Sequence, residues 1–157
     1  MTPQQISTLK TLVAGDPTAS ALAASADDIG LATWLNTPDA AYIVWRTSVG
    51  LREIQEGASF DWTRVDNLSV GKARIWDSMF AFNNINPAQP NVRSGIDAAW
   101  VGTAADLAVR AAVYTKCKRA ATRAEKAFAS GSGTTGSPSV LTFEGTVSYA
   151  DASLIRS

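Results

Sequence analysis

Residues 129–157 read ASGSGTTGSPSVLTFEGTVSYADASLIRS and decide how the chain is organised. Gly and Ser dominate residues 130–139, which predicts a flexible linker between two structured parts. Apolar and polar side chains alternate in residues 140–149, the period-two pattern of a β-strand. Gly145 interrupts this pattern and indicates a bulge or the close approach of another backbone.

This strand has no predicted partner within the chain. Several buried backbone groups cannot remain unbonded, because each costs about 1–3 kcal/mol. The segment is therefore either a disordered C-terminal tail or a strand that joins a sheet of another chain. Its apolar side chains on one face favour the second alternative. We expect residues 140–157 to be an extended docking arm with these contact positions: Val140, Leu141, Phe143, Gly145, Val147 and Tyr149.

The preceding residues, 1–129, predict a helical bundle. Thr2 before Pro3 is typical of a helix start, and Thr103 with Asp106 has the spacing of a capping box. GTAADLAVRAAVYTKCKRAATRAEKAFAS, residues 102–130, predicts one long C-terminal helix. The expected fold class is all-α, with a bundle domain over 1–129, a linker over 130–139 and the arm over 140–157.

Composition disfavours catalysis. The chain has no histidine, so it lacks the commonest general base and metal ligand. Its single cysteine, Cys117, excludes an internal disulfide and suits a reducing compartment. GSGTTG, residues 131–136, follows a helix and precedes a strand, the reverse of a dinucleotide-binding motif. We expect no catalytic residues, no cofactor and no metal.

The polar start of the sequence predicts that the protein is not secreted, and the lack of an apolar run of roughly 20 residues predicts that it does not span a membrane.

Positive charge is concentrated in residues 110–126, although the chain as a whole has no net charge. These residues either form a solvated helix face or meet phosphate or an acidic partner. The candidate residues for such a surface are Arg110, Lys116, Lys118, Arg119, Arg123 and Lys126. The five tryptophans are better explained by core packing than by stacking on bases. Trp62, beside Asp61 at a helix start, is the best candidate among them for an interface.

Two stretches resemble the small head-to-tail connector (adaptor) proteins of tailed bacteriophages. They are DNLSVGKARIWDSMF, residues 66–80, and DAAWVGTAADLAVRAAVYTKCKRAATRAEKAFASGSGTTGSPSVLTFEGTVSY, residues 97–149. The resemblance implies a structural virion protein at the head-tail neck, present in the host cytoplasm during assembly. It also implies a dodecameric ring on the portal protein, contacts with adjacent copies and with tail or neck proteins, and non-specific passage of genomic DNA.

The alternative is a nucleic-acid-binding accessory protein, such as a packaging or regulatory factor. It would use the basic helix predicted over residues 110–126.

Overall fold

The computed structural model describes all 157 residues. They form two compact units, the first made of residues 1–44 and 120–157 and the second of residues 45–119. The expected boundaries after residues 129 and 139 do not coincide with these units. In chain order the elements are α1 (Pro3–Ala14), α2 (Pro17–Ala24), α3 (Asp28–Asn36), β1 (Pro38–Trp45), β2 (Val49–Gly50), α4 (Leu51–Gln55), a 3-10 turn (Trp62–Arg64), α5 (Val70–Met79), β3 (Asn84–Ile85), α6 (Pro90–Ala99), α7 (Ala104–Lys116), β4 (Lys118–Thr122), α8 (Arg123–Lys126), β5 (Ala129–Ser130), β6 (Val140–Leu141) and α9 (Tyr149–Arg156).

The fold is mixed α/β, so the predicted all-α bundle is wrong. Three two-stranded sheets pair β1 with β4, β2 with β3, and β5 with β6. The helical bundle predicted over residues 1–129 includes NTPDAAYIVW, residues 36–45, but residues 38–45 form β1. Its second half, Tyr42–Ile43–Val44–Trp45, consists of aromatic and β-branched residues, which favour a strand once another strand lies beside them.

The single long helix predicted over residues 102–130 is also wrong. Helix α7 ends at Lys116, and after Cys117 the five residues Lys118–Thr122 form β4. Thr122 has extended backbone angles (φ −70°, ψ 163°), and its side chain caps a separate short helix by accepting a hydrogen bond from the Glu125 backbone. A residue in this conformation cannot lie inside a helix, so the Thr-x-x-Glu capping box divides the basic interval.

The C-terminal arm is part of the fold rather than an extended appendage. Strand β6 pairs antiparallel with β5, placing Ala129 opposite Leu141 and Ser130 opposite Val140. Just before β6, the Ser139 N–H donates to the Ile43 carbonyl at 3.0 Å. Residues 149–156 then form helix α9, which packs against α3 and α1. The segment was predicted to pair with another chain, but it makes its backbone hydrogen bonds within its own chain.

Each unit has its own hydrophobic core. The first core joins residues from both ends of the sequence: Leu9, Val13, Ala19, Leu31, Ala32, Leu35, Ala124, Val147, Ala152 and Ile155. The second core is aromatic. The Trp76 and Trp100 rings meet edge to face with centroids 5.2 Å apart, and Phe60 and Phe80 pack around them. Burial of Val147 and Ile155 in the first core makes the C-terminal segment a structural component of that unit.

Candidate interaction surfaces

Most of the predicted arm positions contact their own chain. Val147 is buried, and its N–H and C=O both bond the Asn36 side chain at 2.8 Å. The Phe143 ring packs edge to face on Phe128 with centroids 5.3 Å apart. The Gly145 N–H donates to the Glu125 carboxylate at 3.3 Å. These contacts bond the segment to its own chain, whereas a docking arm would have left it unpaired until a partner bound.

The remaining arm positions differ in exposure. Val140 and Leu141 are paired in β6, although the Val140 side chain is 37% exposed. Tyr149, at the start of α9, is 70% exposed and lies with Ile29 on an open groove at the end of α3. Tyr149 is therefore the arm residue whose side chain is most available to a partner.

The six basic candidates do not lie on one helix. Arg110 and Lys116 belong to α7, Lys118 and Arg119 to β4, and Arg123 and Lys126 to α8. In the second unit, Arg110 lies 3.5 Å from the Asp97 carboxylate. The Lys118 ammonium lies 5.1 Å from the Trp45 ring centroid and 5.5 Å from that of Tyr114. Burial lowers the pKa of Lys118, as expected for an ammonium held against aromatic rings.

The two basic candidates that belong to the first unit, Arg123 and Lys126, flank a cleft. Arg123 stacks on Trp34, with the guanidinium carbon 4.8 Å from the ring centroid. Lys126 donates to the Asp39 carboxylate at 2.6 Å and lies over the Tyr42 ring. The hydrogen bond from Lys126 is the main cause of a lowered pKa at Asp39. The cleft encloses about 580 Å³ and is lined by Thr11, Leu12, Gly15, Asp16, Trp34, Arg123, Lys126 and Ala127.

Trp62, the predicted interface candidate, lies at the surface of the second unit. Its side chain is 57% exposed, and its ring packs edge-on against buried Phe60 with centroids 5.6 Å apart. Asp61 caps the 3-10 turn by accepting the Thr63 N–H at 3.0 Å. Trp62 borders an open groove of about 450 Å³ whose other lining residues are Gly50, Leu51, Arg52, Gln55, Glu56, Asn83 and Asn84.

Phe82 was not identified from the sequence, yet it is the most exposed large apolar side chain, at 89%. It follows the end of α5 and precedes Asn83, which adopts a left-handed conformation (φ 69°) next to the groove that Trp62 borders. The Phe-Ala-Phe spacing of residues 80–82 is the signal that could have revealed it. The Phe80 side chain is buried. Because the helix ends before Phe82, the Phe82 side chain does not point into the core as that of Phe80 does.

The strongly shifted ionisable groups have structural explanations. Asp106 accepts hydrogen bonds from Arg64 at 2.7 Å and from the Thr103 N–H, and these bonds, led by that of Arg64, lower its pKa to about 2. Burial raises the pKa of the Cys117 thiol to about 12. Near pH 7 the Asp106 carboxylate is therefore ionised, and the Cys117 thiol is neutral. No group of three or more His, Cys, Asp or Glu residues is arranged to hold a metal ion.

No protein-family model, curated protein or solved structure matches the chain. None of the helices combines the length and the hydropathy that a bilayer crossing requires.

Proposed function

We propose that the protein is a structural virion protein of a tailed phage, a head-to-tail connector that binds its neighbours through surfaces already formed in the folded chain. The observation that carries this proposal is the exposure of Phe82 and Trp62. The same unit buries Phe60, Trp76 and Trp100, so its core does accommodate aromatic rings. Leaving a phenylalanine in water forgoes about 1.5–3 kcal/mol of burial, which a partner can recover. Aromatic side chains of this kind are enriched at the centres of protein interfaces.

The place in the virion is supported by the resemblance of residues 66–80 and 97–149 to connector proteins. On this proposal the chain forms a dodecameric ring on the portal protein, contacts adjacent copies and tail or neck proteins, and surrounds the DNA path at the head-tail neck. The residues that resemble a connector include all of α5, which leads directly to Phe82.

The C-terminal segment gives this proposal no support, since its strand is bonded within its own chain. The nucleic-acid alternative has also lost the continuous basic helix on which it was based. In addition, Arg110 and Lys126 already pair with carboxylates of the same chain. No observation favours this alternative over assembly.

A test compares Phe82→Ser with Val70→Ser. Val70 is 69% exposed at the start of α5 and provides a matched loss of exposed apolar surface. Binding to purified portal rings, and self-association, are measured by sedimentation and calorimetry. An interface residue of this type contributes about 2 kcal/mol or more, so Phe82→Ser should weaken binding roughly thirtyfold. Val70→Ser should bind as the parent does.

Both variants should unfold at the same denaturant concentration as the parent, because surface changes of this type alter stability little. If the parent neither binds portal rings nor associates with itself, the connector proposal is wrong. If Phe82→Ser binds as tightly as the parent, Phe82 is not part of the surface that is used.

A further inference from the structure

We infer that Arg123, stacked on Trp34, is a receptor for a carboxylate on an acidic segment of a partner protein. This inference rests on the proposed assembly role and specifies the chemistry of one partner. It concerns the first unit, whereas the exposed Phe82 and Trp62 lie in the second. It therefore stands or fails independently of Phe82.

Both the backbone and the guanidinium group of Arg123 are held in place by contacts within the chain. Its backbone N–H donates to the Thr37 carbonyl at 3.1 Å. One guanidinium nitrogen, Nη1, donates to the Trp34 carbonyl at 3.1 Å, while the guanidinium plane lies over the Trp34 ring. An arginine held in this way loses little side-chain entropy when a ligand binds, which favours affinity.

The other edge of the guanidinium has no acceptor in the chain. Arg123 makes its side-chain hydrogen bond through Nη1, which leaves Nε and Nη2 available. These two nitrogens form the edge that binds a carboxylate through two parallel hydrogen bonds. Arg123 lines the cleft of about 580 Å³ defined above, so there is room for a ligand beside it.

The charges and walls of the cleft select a single carboxylate with apolar neighbours. Lys126 adds positive charge at the rim, although its ammonium is already bonded to Asp39. Leu12 and the Trp34 ring supply apolar wall. Asp16 also lines the cleft and would repel a dense row of phosphates, and nucleic-acid binding normally uses many cations rather than two. The complementary ligand is therefore an Asp or Glu next to an apolar residue in a protein segment.

The test selects peptides from a random display library on the purified full-length chain. We expect the selected peptides to share an Asp or Glu beside an apolar residue. The affinity of the tightest peptide, and of its Asp→Asn or Glu→Gln version, is then measured by calorimetry against the parent chain and three variants. Arg123→Gln should weaken binding at least tenfold. Arg123→Lys, which keeps the charge but loses the paired N–H groups, should weaken it severalfold.

The matched control is Arg74→Gln, because Arg74 is exposed on α5 and does not line the cleft. It should bind the peptide as the parent does. Thermal unfolding of each variant separates a lost contact from a lost fold, and Arg123→Lys is the variant most certain to fold.

Three outcomes would overturn the inference. The library could yield no acidic consensus, the amide version of the peptide could bind equally well, or Arg123→Gln and Arg123→Lys could both bind as the parent does. Displacement of the peptide by a short DNA duplex at physiological salt would instead assign the site to nucleic acid. Failure of Phe82→Ser to alter assembly would not affect any of these results.

Discussion

Asn36 and Val147, separated by 111 positions in sequence, bond each other twice: the Asn36 amide donates to the Val147 carbonyl, and the Val147 N–H donates to the Asn36 side-chain oxygen, both at 2.8 Å. A side-chain amide thus replaces the neighbouring strand that the backbone around Val147 would otherwise need. This pair explains how an alternating apolar sequence can end a chain without a sheet partner for each residue.

Replacing Asn36 by Ala should destabilise the fold by about 2 kcal/mol, because two partly buried backbone groups lose their partners. Urea unfolding measures the change. Asn91→Ala is the control, since Asn91 is exposed, and it should alter stability by no more than about 0.5 kcal/mol. Equal stability of the two variants would mean that water replaces the Asn36 bonds without cost.

Removing residues 140–157 should unfold the first unit. The deletion takes Val147, Ala152 and Ile155 from a core in which each is at most 3% exposed. Large-to-small changes of single buried residues already cost about 2–5 kcal/mol, so losing Val147 and Ile155 together costs roughly 4–10 kcal/mol, which is comparable with the whole stability of a typical domain. Hydrogen exchange in residues 3–36 is the measurement. Native protection there in the shortened chain would show that the segment is dispensable.

Gly133→Ala should be destabilising, by about 1–3 kcal/mol. Gly133 has a left-handed backbone (φ +67°), and an added Cβ would lie 2.4 Å from an atom of the Tyr42 ring. Gly136→Ala in the same loop is the control, because an added Cβ there meets no atom within 4 Å. That change should be neutral or slightly stabilising, since it restricts the unfolded chain. Unfolding midpoints of the two variants should therefore move apart, and identical midpoints would contradict the packing at Gly133.

The Arg64–Asp106 pair should make stability depend on pH below about 5. The pKa of Asp106 in the folded chain is about 2, below its ordinary value of 3.8, mainly because of the hydrogen bond from Arg64. The unfolded chain therefore takes up the proton first, and the contribution of Asp106, complete above about pH 5, is lost as pH falls from about 4 to about 2. Asp106→Asn should flatten the pH dependence of unfolding free energy in that window. Asp66→Asn, an exposed site, should retain it.

The helix starts were the most predictable part of the fold. Thr2 with Gln5 and Thr103 with Asp106 both form capping boxes, which confirms the starts of α1 and α7, and Gly15 caps the end of α1. These signals are local, since a short side chain reaches only the next turn of backbone. The Thr122 capping box is equally local but lies inside an alanine-rich run with good helix propensity, which concealed the end of α7.

The strands and the C-terminal segment could not be predicted in the same way. β1 pairs with β4, almost eighty positions later, and β6 pairs with two residues of the predicted long helix, Ala129 and Ser130. Such pairing is decided by tertiary context rather than by local propensity. Of the exposed aromatic residues, Trp62 was proposed as an interface candidate from its position beside Asp61 at a predicted helix start. Phe82 required knowledge of where α5 ends.

The unequal distribution of the tryptophans between the two units affects what fluorescence can measure. Of the five tryptophans, Trp34 alone lies in the first unit, and the other four lie in the second. Intrinsic tryptophan fluorescence of the parent chain will therefore report mainly on the second unit, and a change in the first unit will alter the signal of one indole among five. Replacing the four by phenylalanine would leave one indole, beneath the Arg123 guanidinium, as an optical probe of that cleft.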